Sequence, residues 1–200
     1  MLQRVILKTA HDYLIPVTMP TPTLPINKVH RVICHECKPL HATIIQQVLR
    51  LLEDDPDTQK SHFFNGRYEN IYITKEQIPA IKPILQMILQ ESAKLLGCQQ
   101  DDLQLGFWFN FMQKGDVTTP HSHSDNNELL SGTYYLQMPE QSGILTIALN
   151  PDSSISITPE EAALTCFHPT VKHQVTQHRA PIPRISIGFN IGYKQNALQD

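Results

Sequence analysis

The stretch Arg184-Ile185-Ser186-Ile187-Gly188-Phe189-Asn190 constrains the fold of this chain more than any other segment, because it alternates without a break. Ile185, Ile187 and Phe189 fall on one face and Arg184, Ser186, Gly188 and Asn190 on the other, which is the period of a strand rather than a helix. One side of such a strand faces a core, and the other carries a guanidinium. An Arg in the middle of a strand needs an anion. Its planar fork matches a carboxylate bidentately, and the hydroxyl of Ser186 adds a hydrogen bond to the same group.

From Leu103 onward other short β-prone runs follow one another between turn signals. Their spacing predicts strands over Leu105–Gln113, Leu129–Gln137, Gly143–Leu149, Ser154–Ile157, Ala163–Phe167, Lys172–Thr176 and Arg184–Tyr193, with turns at Gly115-Asp116, Asn126-Asn127, Gln141-Ser142-Gly143 and Pro151-Asp152. Many short antiparallel strands closed by turns argue a double-sheet jelly roll. Upstream, Pro16, Pro20, Pro22 and Pro25 make helix implausible in the first thirty residues and predict an extended arm and an edge strand. His41 to Glu53 puts Ile44, Ile45, Val48, Leu51 and Leu52 on one helical stripe, and Asn65-Gly66 reads as part of a loop. Thr74 with Gln77 has the form of a capping box that opens a second helix through Leu96, stopped at Gly97. The expected class is therefore mainly β with flanking helices, a double-stranded β-helix with two N-terminal helices packed on one sheet. Their apolar stripes need that burial.

Chemistry gathers in Pro120-His121-Ser122-His123-Ser124-Asp125 and in His173, which sits where the His168-Pro169-Thr170 turn enters a strand. A non-haem Fe(II) centre that activates O₂ takes two imidazoles and a carboxylate on one face and leaves the other positions open. Ligands two apart project the same way from extended backbone, so either His121 with His123 or His123 with Asp125 can aim at one ion. A carboxylate offsets part of the metal's charge and suits ferrous iron, which favours His123, Asp125 and His173, with His121 as the alternate ligand.

Taken together, Trp108-Phe109-Asn110, His-x-His-x-Asp, Leu130-Ser131-Gly132-Thr133-Tyr134-Tyr135-Leu136, Phe167-His168-Pro169 with His173, and Arg184-Ile185-Ser186 with Phe189-Asn190 resemble the Fe(II)/2-oxoglutarate-dependent oxygenases, and among them the small bacterial prolyl-hydroxylase-like branch. The resemblance covers about residues 104 to 193. It implies an iron held by a His-x-Asp pair and a distal His, and 2-oxoglutarate gripped at its far carboxylate by Arg184 and Ser186, with Asn110 and Tyr135 at co-substrate positions. Arg184 follows His173 by eleven residues, as is common in that family. The implied activity is hydroxylation of a small-molecule or peptide substrate with O₂, releasing succinate and CO₂. The implied organisation is one oxygenase domain over residues 1–200, with 1–103 as arm and supporting helices and 104–193 as the β-helix core.

A second reading shares the fold. Gly115, His121-x-His123 and Glu128 match the first metal motif of cupins, with His173 completing a three-His, one-Glu site. That reading gives Arg184 no task. A third, a metal-free sandwich that binds a protein partner, requires the whole constellation to be accidental.

A formal net charge of −3 gives no electrostatic footprint for nucleic acid or an anionic membrane. The N-terminus lacks a signal-peptide core and no stretch nears the roughly 18 apolar residues of a membrane span, so the expected location is cytoplasmic. Cys34-His35-Glu36-Cys37 has the form of half a zinc site but finds no second pair, since Cys98 and Cys166 stand far apart in sequence. Cys166, in an apolar run, reads as a small buried hydrophobe. Nothing in the sequence bears on the oligomeric state.

Overall fold

Arg184–Tyr193 forms the central strand of the larger of two antiparallel sheets in the computed structural model, which describes residues 24–55, 57–123 and 127–194. In chain order the elements are β1 (Val29–Ile33), α1 (His41–Asp54), β2 (Lys60–Phe64), β3 (Arg67–Ile71), α2 (Lys82–Leu96), β4 (Leu103–Met112), β5 (Thr118–His121), β6 (Leu130–Gln137), β7 (Leu145–Asn150), β8 (Ser153–Ile157), β9 (Ala163–Phe167), β10 (His173–Val175) and β11 (Arg184–Tyr193). The seven-stranded sheet runs β1-β9-β6-β11-β4-β3-β2, and the four-stranded sheet β5-β10-β7-β8. This is the expected jelly roll with two helices.

The alternation of β11 decides where the layers lie. Ile185, Ile187, Phe189 and Ile191 face outward with Leu130, Tyr134 and Leu136 of β6 and Phe109 of β4, and there they meet Ile44 and Val48 of α1 and Ile84 and Ile88 of α2. Each such side chain contributes about 1.5–3 kcal/mol when fully buried, so the outer layer is the main core. The inner face of the large sheet is polar near Arg184. A smaller apolar cluster of Met112, Leu145, Ile147, Phe167, Val171 and Val175 joins the two sheets.

Three local expectations are corrected. The Asn65-Gly66 loop is the two-residue turn of a β2–β3 hairpin, with φ of 50° and 84°, the doubly positive pair that a type I′ turn demands and that Asn-Gly supplies. The Thr74–Gln77 box does form, with Thr74 N–H donating to Gln77 Oε1 at 2.9 Å and Gln77 N–H to Thr74 Oγ1 at 3.3 Å, but α2 begins only at Lys82. Pro79 is the reason: it holds Ile78 near extended backbone (φ −126°, ψ 76°), and the chain restarts through a 3₁₀ turn over Pro79–Ile81. The helix ends as expected at Gly97, left-handed at φ 65°. Thr118–His121 forms a strand that is absent from the predicted set; it contains Pro120, and as an edge strand of the small sheet β5 tolerates the missing N–H.

The expected edge strand is β1, whereas Pro16, Pro20 and Pro22 of the predicted arm lie outside the described residues. Cys34 and Cys37 are free, buried thiols, and Cys34 Sγ lies 3.3 Å from Met87 Sδ. Burial pushes the Cys34 thiol up to about 11, so the C-x-x-C belongs to the core and is not a reactive pair. Cys166 is fully buried. Among the described residues no helix is long and apolar enough to cross a membrane.

Candidate metal centre and anion pocket

Sheet register builds the histidine cluster. β5 ends at His121, which sits directly across the ladder from His173 of β10. His123 lies two residues further on, and its backbone N–H donates to the Pro169 carbonyl at 2.8 Å, which ties it to the turn that precedes His173. One ring nitrogen from each of His121, His123 and His173 lies within 4.8 Å of the other two. The ring centroids are 4.2 Å apart for His121 and His173, 5.0 Å for His121 and His123, and 5.1 Å for His123 and His173.

Hydrogen bonds set the tautomers. His121 Nδ1–H donates to the Thr119 carbonyl at 2.8 Å and His173 Nδ1–H to the Val171 carbonyl at 3.2 Å. Carbonyls only accept, so in both rings Nε2 carries the lone pair that a metal needs. His173 is buried against Phe167, whose ring centroid is 4.6 Å away. Burial, helped by the neighbouring His121, pushes the His173 pKa down to about 3 and keeps the ring in its metal-binding neutral form. Of the predicted ligands, the structure brings His121, His123 and His173 together. Asp125 lies outside the described residues, and Glu128, which the cupin reading requires, is not in the converging group.

The other end of the pocket is built on β11. Arg184 and Ser186 are 2% and 3% exposed, and Arg184 Nη1 donates to Ser186 Oγ at 2.9 Å and reaches Met112 Sδ at 3.6 Å. The guanidinium carbon stands 5.4 Å from the Tyr135 ring centroid. Among the described residues no carboxylate pairs with it. Burial pulls the Arg184 pKa down, offset in part by Tyr135, yet guanidinium keeps its proton in proteins, so a positive charge is enclosed without a partner. Arg184 Nε, Tyr135 OH, Thr165 Oγ1 and Asn110 Oδ1 are all buried. Tyr135 OH lies close enough to Thr165 and Arg184 to interact with both, so these groups form one buried polar cluster, and of its members Arg184 lines the cavity, as does Asn110. Asn110 Nδ2 is already used, donating to the Glu69 carbonyl at 2.8 Å.

A cavity of about 110 Å³ reaches from the histidines to Arg184 and Ser186. The sequence reading missed its third wall, the β2–β3 hairpin, which contributes His62, Glu69 and Asn70. Arg67 fastens that hairpin to the strands of the site: Nη1 donates to the Phe111 carbonyl at 3.1 Å and Nη2 to the Val117 carbonyl at 2.9 Å, with Glu69 at 3.3 Å and Asp116 at 3.4 Å. Asn65-Gly66, flanked by β-prone residues, was the available signal. Thr165 was missed because it stands in an otherwise apolar run.

Trp108 closes the pocket beside His123, with ring centroids 5.5 Å apart, and it lies over Gly188, its partner across the ladder. A Cβ on Gly188 would meet the indole at 2.5–2.7 Å. Gly188→Ala is therefore expected to displace the Trp108 indole, destabilising the fold by about 1–3 kcal/mol, the usual range for overpacking. Denaturant unfolding checks this; an unchanged midpoint would mean that the indole moves freely.

No family model and no curated protein sequence matches the chain. Solved structures do. A prolyl-4-hydroxylase from Pseudomonas putida superposes with a TM-score of 0.65 at 16% identity, covering 83% of this chain and 92% of that one. A prolyl hydroxylase from Trichoplax adhaerens, solved with a hypoxia inducible factor oxygen degradation domain peptide fragment, gives 0.62 at 18% identity over 91% of each chain. The epimerase SnoN from nogalamycin biosynthesis, solved with Fe³⁺, α-ketoglutarate and nogalamycin RO, gives 0.65 at 15% identity over 86% of this chain and 84% of that one. The chain has the fold of the prolyl-hydroxylase-like 2-oxoglutarate oxygenases. On that oxygenase fold, the histidine cluster and the Arg184 pocket occupy the space between the two sheets.

Proposed function

We propose that this protein is a non-haem Fe(II)/2-oxoglutarate-dependent oxygenase that hydroxylates a small-molecule or peptide substrate. The observation that carries the reading is Arg184, a buried guanidinium with no carboxylate partner among the described residues, at one end of a cavity whose other end gathers three imidazoles. The cupin reading leaves that charge uncompensated.

The residues present fit both groups. His123 and His173, with a third ligand from Asp125 or His121, would hold the iron. Arg184 and Ser186 would take the distal carboxylate of 2-oxoglutarate, with the Tyr135 OH beside them and Asn110 Oδ1 facing the co-substrate. Bound iron and 2-oxoglutarate supply activation of O₂, with release of succinate and CO₂. The chain's own contribution is position and dryness. Backbone carbonyls fix the His121 and His173 imidazoles, the fork would fix one end of the co-substrate, and Phe167 packs on the buried His173 while Trp108 lies beside the half-buried His123. The cavity wall on the β2–β3 hairpin is where a substrate would meet the site. Fe³⁺ and α-ketoglutarate in SnoN, and the peptide in the Trichoplax enzyme, support the cofactor and the two substrate classes.

The test is anaerobic addition of Fe(II) and 2-oxoglutarate, followed by succinate release with candidate substrates. A visible charge-transfer band that needs both additions is the expected result. If there is no band and no succinate, the oxygenase reading fails and the cupin one replaces it.

A further inference from the structure

We infer that His62, on the β2–β3 hairpin, is a specificity-determining residue that donates a hydrogen bond from Nε2 to a carbonyl or carboxylate oxygen of the substrate. The inference deepens the reading above and rests on it only in that the substrate meets the hairpin wall.

The first argument is backbone. The β2–β3 ladder pairs Lys60 with Ile71 and Ser61 with Asn70, then resumes with Phe63 opposite Tyr68 and Phe64 opposite Arg67, so the His62 step between them is unpaired. His62 has a φ of 57°, left-handed and uncommon for a residue that carries a side chain. A regular strand would send His62 to the face opposite Ser61 and Asn70. The left-handed step brings its ring to their side instead, where Nδ1 lies 2.8 Å from Ser61 Oγ and 3.0 Å from Asn70 Nδ2. Strained backbone of this kind persists where its surroundings hold it, and it clusters at active sites and ligand clamps. His62 and Asn70 both line the cavity.

The second argument is the tautomer. An amide nitrogen only donates, so Asn70 Nδ2 makes His62 Nδ1 an acceptor and, in the neutral ring, leaves the proton on Nε2. The groups behind the ring agree: Ser61 Oγ–H donates to the same Nδ1, and Tyr72 OH, 2.9 Å from Ser61 Oγ, donates to Ser61 in turn. This is the reverse of His121 and His173, whose Nδ1 protons go to backbone carbonyls and whose Nε2 atoms are bare. The cavity thus carries imidazoles that offer lone pairs to a metal and, on the hairpin, one that offers a proton. With Nδ1 tied back to the hairpin, the Nε2 edge of His62 is left to face the cavity, and its proton has no acceptor among the described residues. The complement of that donor is an oxygen. A protonated amine or an alkyl group offers it nothing.

Ring ¹⁵N shifts of the full-length protein at mildly alkaline pH read the tautomer and should place the His62 proton on Nε2. Three sets of probes test the contact, with Zn(II) and 2-oxoglutarate present so that nothing turns over: N-acetyl amino acid methylamides, which carry neutral carbonyls; aliphatic carboxylates; and primary alkylamines, which as cations only donate. Methylamides or carboxylates should bind and shift the His62 ring signals, the tighter set naming the acceptor, and alkylamines should not. His62→Asn keeps a residue that tolerates the left-handed backbone but lacks the Nε2 donor, so it should weaken the bound probe about 3- to 10-fold, the usual net worth of one hydrogen bond. Asn70→Asp, whose carboxylate only accepts, should move the His62 proton to Nδ1 and weaken the same probe similarly although the ring is still there, which a purely structural His62 would not do. A wild-type proton on Nδ1 overturns the inference, as do alkylamines that bind as tightly as the best acceptor, unchanged affinity in His62→Asn, or no binding by any probe. Should His62→Asn fail to fold, Asn70→Asp decides alone. Probe binding that depends on His62, without a charge-transfer band from iron and 2-oxoglutarate, would sink the oxygenase reading and leave this donor standing. The band together with probe affinity untouched by His62→Asn would do the reverse.

Discussion

Arg184→Met is expected to abolish 2-oxoglutarate binding while leaving the apo-protein at least as stable as wild type, and Arg184→Lys to raise the 2-oxoglutarate dissociation constant tenfold or more with iron occupancy intact. The first half follows from the fork. Removing one partner of a buried, hydrogen-bonded charge pair costs about 2–5 kcal/mol, roughly thirtyfold to several-thousandfold in a dissociation constant. Lys keeps the charge but presents a point donor in place of a planar pair, so it retains only part of that interaction. The second half follows from Arg184 having no carboxylate partner among the described residues and an orphaned Nε. An enclosed charge without a counterion opposes folding, and replacing it with an apolar side chain of similar length removes that opposition. Saturating 2-oxoglutarate at about 100 times its dissociation constant should add about 2.7 kcal/mol to wild-type stability and nothing to Arg184→Met. Anaerobic titration of the charge-transfer band and paired melting curves with and without 2-oxoglutarate measure both halves. A destabilised apo Arg184→Met would make Arg184 a strut of the sheet and remove the carboxylate-binding role.

The same strand shows what a sequence carries and what it hides. The alternation of 184–190 located the central strand to the residue, because its two faces meet such different surroundings that a slip by one position would put Arg184 into the α1–α2 layer. The helix over His41–Asp54 was legible for the same reason: Ile44 and Val48 must be buried and the opposite face must not. The start of α2 was not, because its boundary depends on a contest between a capping box at Thr74 and the backbone restriction before Pro79, and the restriction prevails.

At the site, residue types were legible but partners were not. Arg184 and Ser186 are two apart on one strand, so their shared target could be read directly. That His121 faces His173 is a pairing between segments some fifty positions apart that no local pattern encodes, and Asp125, the other candidate beside His123, lies outside the described residues. Thr165 shows the same limit. Its neighbours Leu164 and Cys166 made the strand read as apolar, but an inward position on β9 places its hydroxyl beside Tyr135, on the inner face that also carries Arg184. The hairpin wall was hidden by its own exposure, since Phe63, Phe64 and Tyr68 reach solvent and break the inside–outside pattern by which strands are recognised.

His173→Ala should abolish iron binding under either ligand set, because His173 belongs to both, and it is the test least dependent on the choice between His121 and Asp125. Two donors from one short segment remain after the substitution, and they reach the ion from the β5 side alone; the clamp across the β5–β10 ladder is gone. Iron content of the purified variant should fall from near full occupancy to background, and the charge-transfer band with 2-oxoglutarate should vanish. Loss of packing is the competing explanation, since His173 is 8% exposed and lies against Phe167. Free imidazole separates the two. The truncated side chain leaves a ring-sized gap between Phe167 and His121, so added imidazole should restore iron binding and the band in His173→Ala if the lost group was a ligand, and should restore neither if the fold around β10 has collapsed. The melting curve of the apo variant gives the control, because a ligand role predicts that the metal is lost without a comparable loss of cooperative unfolding. Undiminished iron content in His173→Ala would remove the histidine cluster as the metal site altogether, and the 2-oxoglutarate pocket would then have no reactive centre to serve.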